Sequence, residues 1–234
     1  MLILLLYYGV YIFRGNERKR GVLKVNETQK QGFDKQDYDM FVHPYQTAGG
    51  VVMVHLTGLR RDLELSHKHK PIHHISCRFK TMESIEGKLR RRGLPVSWES
   101  AQEYLTDIAG IRVLCYYKKD IYLLAKLLKK QLDAIVVKES DYIANPKPNG
   151  YRSFHMVLGV AVYGAESKQY YPVEIQIRTL AMDFWASMEH QLCYKSQHIN
   201  HEEMTRQFRE YSDSLEQMQH NLENFYDFDT DAIM

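Results

Sequence analysis

Tyr171-Pro-Val-Glu-Ile-Gln-Ile-Arg-Thr179 is the stretch on which the fold turns. In a strand, alternate side chains share a face. Val173, Ile175 and Ile177 therefore point one way, while Glu174, Gln176 and Arg178 point the other. Taken alone, this is also what an ordinary half-exposed strand looks like. Upstream, Tyr151-Arg-Ser-Phe-His-Met-Val-Leu158 divides in the same manner, with Tyr151, Ser153 and His155 on one parity and Phe154, Met156 and Leu158 on the other. Two such strands, paired with their polar faces aligned, line one surface with an aromatic ring, an imidazole, a carboxylate and an amide. That combination suits a polar aromatic ligand, although His155 by itself reads as a satisfied structural histidine.

Working outward from this pair, the periodicity predicts strands over Ser153–Val162 and Tyr170–Thr179, preceded by strands over Ile111–Tyr117 and Ala134–Lys138. A helix is expected over Asp120–Gln131, and two more over Ala181–Tyr194 and His201–Tyr226. The fold class is α/β (α+β). Upstream, Thr81 is placed to cap a helix that ends at Gly93, with Pro95 just beyond. Its acids, Glu83 and Glu86, lie early and its bases late, as the helix dipole prefers. Val51–His69 has helical apolar spacing through Val52, Leu56, Leu59 and Leu63. Gln29–Gly50 reads as a short helix followed by a loop around Pro44 and Gly49-Gly50.

The last helix places Met204, Phe208, Tyr211, Leu215, Met218, Leu222 and Phe225 at alternating steps of four and three, a heptad seam. Such a seam packs either on the chain's own domain or on another subunit. A length of 234 residues, 44% hydrophobic and 26% charged, suits one sizeable domain, or one domain with a helical appendage. The expected organisation is a leader over 1–21, an N-terminal helical region over 22–60, the main domain over 61–195 and a C-terminal helix over 196–234.

A net charge of +2 excludes a polycation built to coat nucleic acid. Three cysteines, Cys77, Cys115 and Cys193, lie far apart without CxxC spacing, which points to a reducing compartment rather than a disulfide framework or zinc ribbon. Met1 to Phe13 is almost wholly apolar, yet a bilayer span needs about 20 such residues. A signal peptide would carry its charge before that run rather than after it. Met1 to about Gly21 is expected to be an upstream stretch read in frame, since Arg18-Lys-Arg-Gly21 fits a purine-rich ribosome-binding site. A membrane-surface anchor is the alternative.

Chemistry gathers in four further places. The loop Asp141-Tyr-Ile-Ala-Asn-Pro-Lys-Pro-Asn-Gly150 is stiffened by two prolines and an Asn-Gly pair, and it presents Lys147 close before Tyr151. A ring that stacks a base beside a lysine that meets phosphate is a nucleotide-site arrangement. Asp107 stands at the entry of the Ile111 strand with Arg112 after it. It is either a turn former or, with Glu174, a pair of carboxylates suited to Mg²⁺. Arg78 to Arg92 holds six bases against two acids. Lys88 and Arg91 share a helical face, and Arg78 and Lys80 share parity if the segment before Thr81 is extended. These bases read either as a solvated helix face or as a cradle for a triphosphate. The histidines at 67, 69, 73 and 74 lack metal-site spacing and read as surface or turn residues.

Together these segments resemble the synthetase domain of the RelA/SpoT alarmone synthetases, and most of all the stand-alone small members. The resemblance rests on Arg78-Phe-Lys80, Asp107-Ile-Ala-Gly-Ile-Arg112, Asp141 to His155, Glu174-Ile-Gln-Ile-Arg-Thr179 and Ala181 to His190, in the family's order. It implies a nucleotidyltransferase-like mixed β-sheet flanked by helices, with helical extensions at both ends. It implies transfer of pyrophosphate from ATP to the 3′-hydroxyl of GTP or GDP.

By the same resemblance, Arg78, Lys80, Lys88, Arg91 and Arg112 would bind ATP. Asp107 and Glu174 would hold Mg²⁺, or Mn²⁺ in its place, with Glu174 also the base. Lys147, Tyr151, His155 and Gln176 would bind the acceptor. Lys138-Glu-Ser-Asp141, just before the acceptor loop, matches neither charge type of the long members, which leaves the choice of metal open. The small members often form tetramers through terminal helices, so a homo-oligomer is expected, in the cytoplasm and without a membrane partner. No His-Asp dipeptide occurs, so hydrolase activity is not expected. The competing readings are a non-catalytic regulator that binds guanine nucleotide or single-stranded RNA, and a nucleotidyltransferase that releases pyrophosphate. The second lacks its usual acids one residue apart on a strand. RNA binding is not indicated.

Overall fold

The structure is a computed structural model that describes residues 33–66, 69–165, 167–195 and 201–231. The expected leader over 1–21 lies outside the described residues. Five strands form one mixed sheet in the order β1-β2-β5-β4-β3. They are β1 (Ile72–Phe79), β2 (Ala109–Cys115), β3 (Ala134–Asp141), β4 (Phe154–Tyr163) and β5 (Lys168–Thr179). The pair β2–β5 is parallel and the other three pairs are antiparallel. Six helices accompany them among the described residues: α1 (Lys35–Ser66), α2 (Met82–Arg91), α3 (Trp98–Tyr104), α4 (Lys118–Gln131), α5 (Leu180–Lys195) and α6 (His201–Asp231).

The alternation read from the sequence decides which face of the sheet is covered. Val173, Ile175 and Ile177 of β5 are fully buried, as are Ile111 and Val113 of β2 and Met156 and Leu158 of β4. They share one core with Val52 and Leu56 of α1, Ile85 and Leu89 of α2 and Leu124 and Leu128 of α4. Each such side chain contributes about 1.5–3 kcal/mol by leaving water. The opposite parity carries Arg112, Glu174, Gln176 and His155, all partly exposed.

The expected break near Pro44 and Gly49-Gly50 does not occur. α1 runs unbroken through all three, and the boundary drawn at 60/61 falls inside it. Its buried stripe, Val42, Tyr45, Ala48, Val52, Leu56, Leu59 and Leu63, keeps helical spacing throughout, and that burial outweighs local propensity. Pro44 has no N–H to give the carbonyl of Met40, and Met40 is 65% exposed, so that carbonyl lies toward solvent. Gly49 lets the helix lie close on β1, since a Cβ there would stand 3.2 Å from the Phe79 ring.

Thr81 caps α2 as expected, its side chain accepting from the amide of Ser84 at 3.3 Å. Gly93 ends the turn after it at a φ of 67°. The strand predicted over Ala134–Lys138 continues to Asp141, so Lys138-Glu-Ser-Asp141 lies on an edge strand. His73 and His74 are exposed on the edge strand β1, as surface residues. His69 Nε2 lies 2.9 Å from Asp120, and His73 Nδ1 lies 2.9 Å from the Tyr116 hydroxyl. The side chain of His67 lies outside the described residues. Cys77 and Cys115 are free thiols.

Candidate active site

Strand register assembles the site. Arg78 pairs with Gly110, Gly110 with Glu174, and Glu174 with Val157. One step along, Ser76, Arg112, Gln176, His155 and Ser140 form the next row. Glu174 and the two arginines thus occupy neighbouring positions on the open face of the sheet. The Arg78 side chain lies over Gly110, 3.7 Å from where a Cβ would stand, an ordinary contact distance.

At one end, Asp107 stands just before β2. Its Oδ2 lies 3.0 Å from Lys80 Nζ and 2.6 Å from Lys88 Nζ. Burial pushes this carboxyl up, but the Lys88 hydrogen bond and the charges of both lysines outweigh it, and its pKa falls below the ordinary value. Oδ1 is buried without a hydrogen-bond partner. α2 brings Lys88 here, and the end of β1 brings Lys80, whose carbonyl accepts from the Tyr38 hydroxyl of α1 at 3.1 Å. Arg91 is exposed on the same helix, its guanidinium within reach of a Cβ built on Gly87.

Glu174 follows the same logic. Burial opposes its charge, yet the His155 hydrogen bond and charge and a bond from Gln176 leave its pKa lowered. His155 Nδ1 is 3.4 Å from Oε1, and Gln176 Nε2 donates to Oε2 at 3.0 Å. The negative charge of Asp107 acts in the opposite direction, so the two carboxylates sense each other. A second cationic group adjoins them. The Arg112 guanidinium is depressed by burial and by the like charges of Arg178 and Arg78, with Asp183 opposing. Mutually repelling arginines on an open face favour a polyanion between them.

At the other end, the loop before β4 presents Tyr151. Lys147 Nζ stands 4.7 Å from the Tyr151 ring centroid and 4.8 Å from that of Tyr142. The Tyr151 hydroxyl is 2.8 Å from His155 Nε2, which links the loop to Glu174 through the imidazole. Asp141 stiffens the loop by accepting from the amides of Ile143 and Ala144.

The structure therefore brings Arg78, Lys80, Lys88, Asp107, Arg112 and Glu174 to one end of a continuous surface, and Lys147, Tyr151, His155 and Gln176 to the other. It adds Arg178, which is 5% exposed. Arg178 donates to the Tyr151 hydroxyl at 2.6 Å and to Gln176 at 2.8 Å, and pairs with Asp183 at 3.1 Å. Arg178 shares the polar parity of Glu174 and Gln176, and that was the available signal for it. Asp183, which also holds Arg112 at 3.1 Å, comes from the first turn of α5 and had no comparable signal.

Among the described residues, no three His, Cys, Asp or Glu side chains gather as a metal site. Two carboxylates, one with an orphaned buried oxygen, suit Mg²⁺, which draws most of its shell from water and substrate phosphates.

The chain is similar to known proteins in sequence and in fold. A family model described as the region found in RelA / SpoT proteins matches residues 77–199. Over 152 residues the chain is 41% identical to GTP pyrophosphokinase YwaC of Bacillus subtilis (strain 168), covering 65% of this chain and 72% of that protein. It is 39% identical over 162 residues to GTP pyrophosphokinase YjbM of the same organism, covering 69% of this chain and 75% of that one. Among solved structures, the small alarmone synthetase 1 from Bacillus subtilis, bound to its product pppGpp, superposes with a TM-score of 0.74 at 34% identity. The match covers 82% of this chain and 97% of the other.

Proposed function

The chain belongs to the RelA/SpoT family, and from that premise we propose how its open sheet face makes (p)ppGpp. It is a GTP pyrophosphokinase: pyrophosphate passes from ATP to the ribose 3′-hydroxyl of GTP or GDP, leaving AMP. The observation that carries the mechanism is the adjacency of Glu174 to Asp107 on one side and, through His155, to Tyr151 on the other.

The ATP triphosphate lies among Arg78, Lys80, Lys88, Arg91 and Arg112. Lys80 and Lys88, which share Asp107 in the structure described here, then divide their hydrogen bonds between that carboxylate and phosphate oxygens. Guanine stacks on Tyr151, and Lys147 and His155 meet the acceptor's phosphates. Gln176 donates to Glu174 and accepts from Arg178, which keeps the carboxylate turned toward the acceptor ribose.

Glu174 takes the proton from the 3′-hydroxyl. The 3′-oxygen bonds to the β-phosphorus of ATP, the bond from that phosphorus to the α–β bridging oxygen breaks, and the oxygen leaves with AMP. Such transfers depend mostly on positioning and charge neutralisation. Asp107 and Glu174 would hold Mg²⁺, with Mn²⁺ as the other candidate; when bound it supplies further neutralisation of phosphate charge.

We also assign the exposed part of the α6 seam to a second copy of this chain. Met204 and Phe208 are buried against Trp185 of α5, but Tyr211, Met218 and Leu222 are more than half exposed. Tyr211 and Met218, with Phe184 and Met188, border an apolar groove of about 440 Å³. A heptad period is the pattern by which one helix packs along another.

The reaction is tested by following label from [γ-³²P]ATP with GDP or GTP present. Transfer as proposed puts the label in the guanosine product in step with AMP. Label in free pyrophosphate or orthophosphate would contradict it.

A further inference from the structure

The acceptor loop is held from outside the sheet. Gly150 and Arg152, the chain neighbours of Tyr151, are both fastened to α6. Ser212 Oγ donates to the Gly150 carbonyl at 2.6 Å. Arg152 Nη1 donates to Ser212 Oγ and reaches the same carbonyl at 3.3 Å. Its Nη2 bonds Asp213 at 2.8 Å, and its Nε lies 3.6 Å from Glu216. Gly150 has a φ of +89°, and a Cβ on it would stand 2.7 Å from the Cβ of Ser212 and 3.0 Å from the Cα of Arg209. Backbone thus lies directly against backbone. Trp185, edge-on to the Tyr151 ring at 6.2 Å, donates its Nε1–H to the Phe208 carbonyl at 2.8 Å.

Only 12% of the Arg152 side chain is exposed, and its partners are these loop and helix groups, so it is not a surface cation free to meet phosphate. Beside the apolar contact of Met204 and Phe208 with Trp185, further polar bonds hold α6 to the domain. Thr179 Oγ1 donates to Gln219 at 2.6 Å, Lys118 Nζ pairs with Glu216 at 2.7 Å, and the Lys118 amide donates to Glu223 at 3.0 Å. Directional bonds fix the register of a helix in a way that apolar contact does not.

We propose that α6 is a positioning element for the acceptor nucleotide: Arg152 and Ser212 lock the backbone on both sides of Tyr151 and so set acceptor affinity without touching either substrate. This rests on the reading of Tyr151 as the acceptor's stacking ring.

The test measures KM for GDP and KM for ATP separately in the wild type, Arg152→Gln, Arg152→Lys and Ser212→Ala. Arg152→Gln is expected to raise the GDP constant about tenfold, the effect of losing one or two charge-assisted bonds, with the ATP constant unchanged within about twofold. Arg152→Lys recovers part of the loss. Titration of a fluorescent GDP analogue without ATP should rank the variants identically, so the clamp is tested even if the wild type released no AMP, a result that would count against the reaction alone. Asp213→Asn, on the exposed rim, gives a milder rise and covers the case in which Arg152→Gln does not fold. An unchanged GDP constant, GDP and ATP constants rising together, or a loss confined to kcat would each overturn the proposal.

Discussion

Glu174 and Asp107 lie deep enough for burial to raise their pKa values, and in both the neighbouring donors prevail. Glu174 is therefore ionised at neutral pH and ready to accept a proton. Glu174→Gln keeps the shape and removes the base, so kcat should fall by about 10²- to 10⁴-fold with little change in either KM. Both carboxyls titrate lower folded than unfolded. Their contribution to stability is complete above the unfolded value, about 4, and is lost as pH falls through the lower folded value. Urea unfolding followed downward from about pH 6 should show declining stability, and Asp107→Asn should flatten the decline; an identical slope would count against the Lys80–Asp107–Lys88 cluster. At this scale much of the site was legible, because strand parity places Glu174, Gln176 and Arg178 together. Asp183 was not, since its meeting with Arg112 and Arg178 depends on how α5 leaves β5.

Elements were legible where short-range signals and burial agree, as at Thr81 and along β5. They were misread where the two conflict. Pro44 and Gly49-Gly50 carry strong local loop signals, but α1 has a continuous apolar stripe to bury and a sheet to bury it on. A proline inside a helix costs about 3 kcal/mol at most sites, so Pro44→Ala should raise the urea midpoint; a lower midpoint would mean that the Pro44 ring itself serves packing. α3 was missed because it has only 7 residues. Ser97 caps it by accepting from the amide of Ser100, and Phe41 stacks on its Trp98 with centroids 4.6 Å apart. β1 was seen only as an extended approach to Thr81, because its alternation is blurred at the sheet edge.

At the scale of the whole molecule, α6 presents one stripe to the domain and another outward. The inward stripe is polar at Ser212 and Gln219, which a search for apolar period does not register. The heptad seam is divided between the two: Met204 and Phe208 are buried against α5, while Tyr211, Met218 and Leu222 face outward. No helix of the described residues is long and apolar enough to cross a membrane. Met218→Glu with Leu222→Glu should lower the mass in sedimentation equilibrium; an unchanged mass would move the subunit contact elsewhere. The central claim is that this sheet face transfers pyrophosphate to a guanine nucleotide with Glu174 as base. Its most direct test separates nucleotides after incubation of the wild type and Glu174→Gln with Mg²⁺, ATP and GDP or GTP. Equal amounts of AMP and a guanosine 3′-diphosphate product from the wild type, with next to none from the variant, are expected. Product formation at the wild-type rate by Glu174→Gln, or none by a folded wild type, would contradict the account.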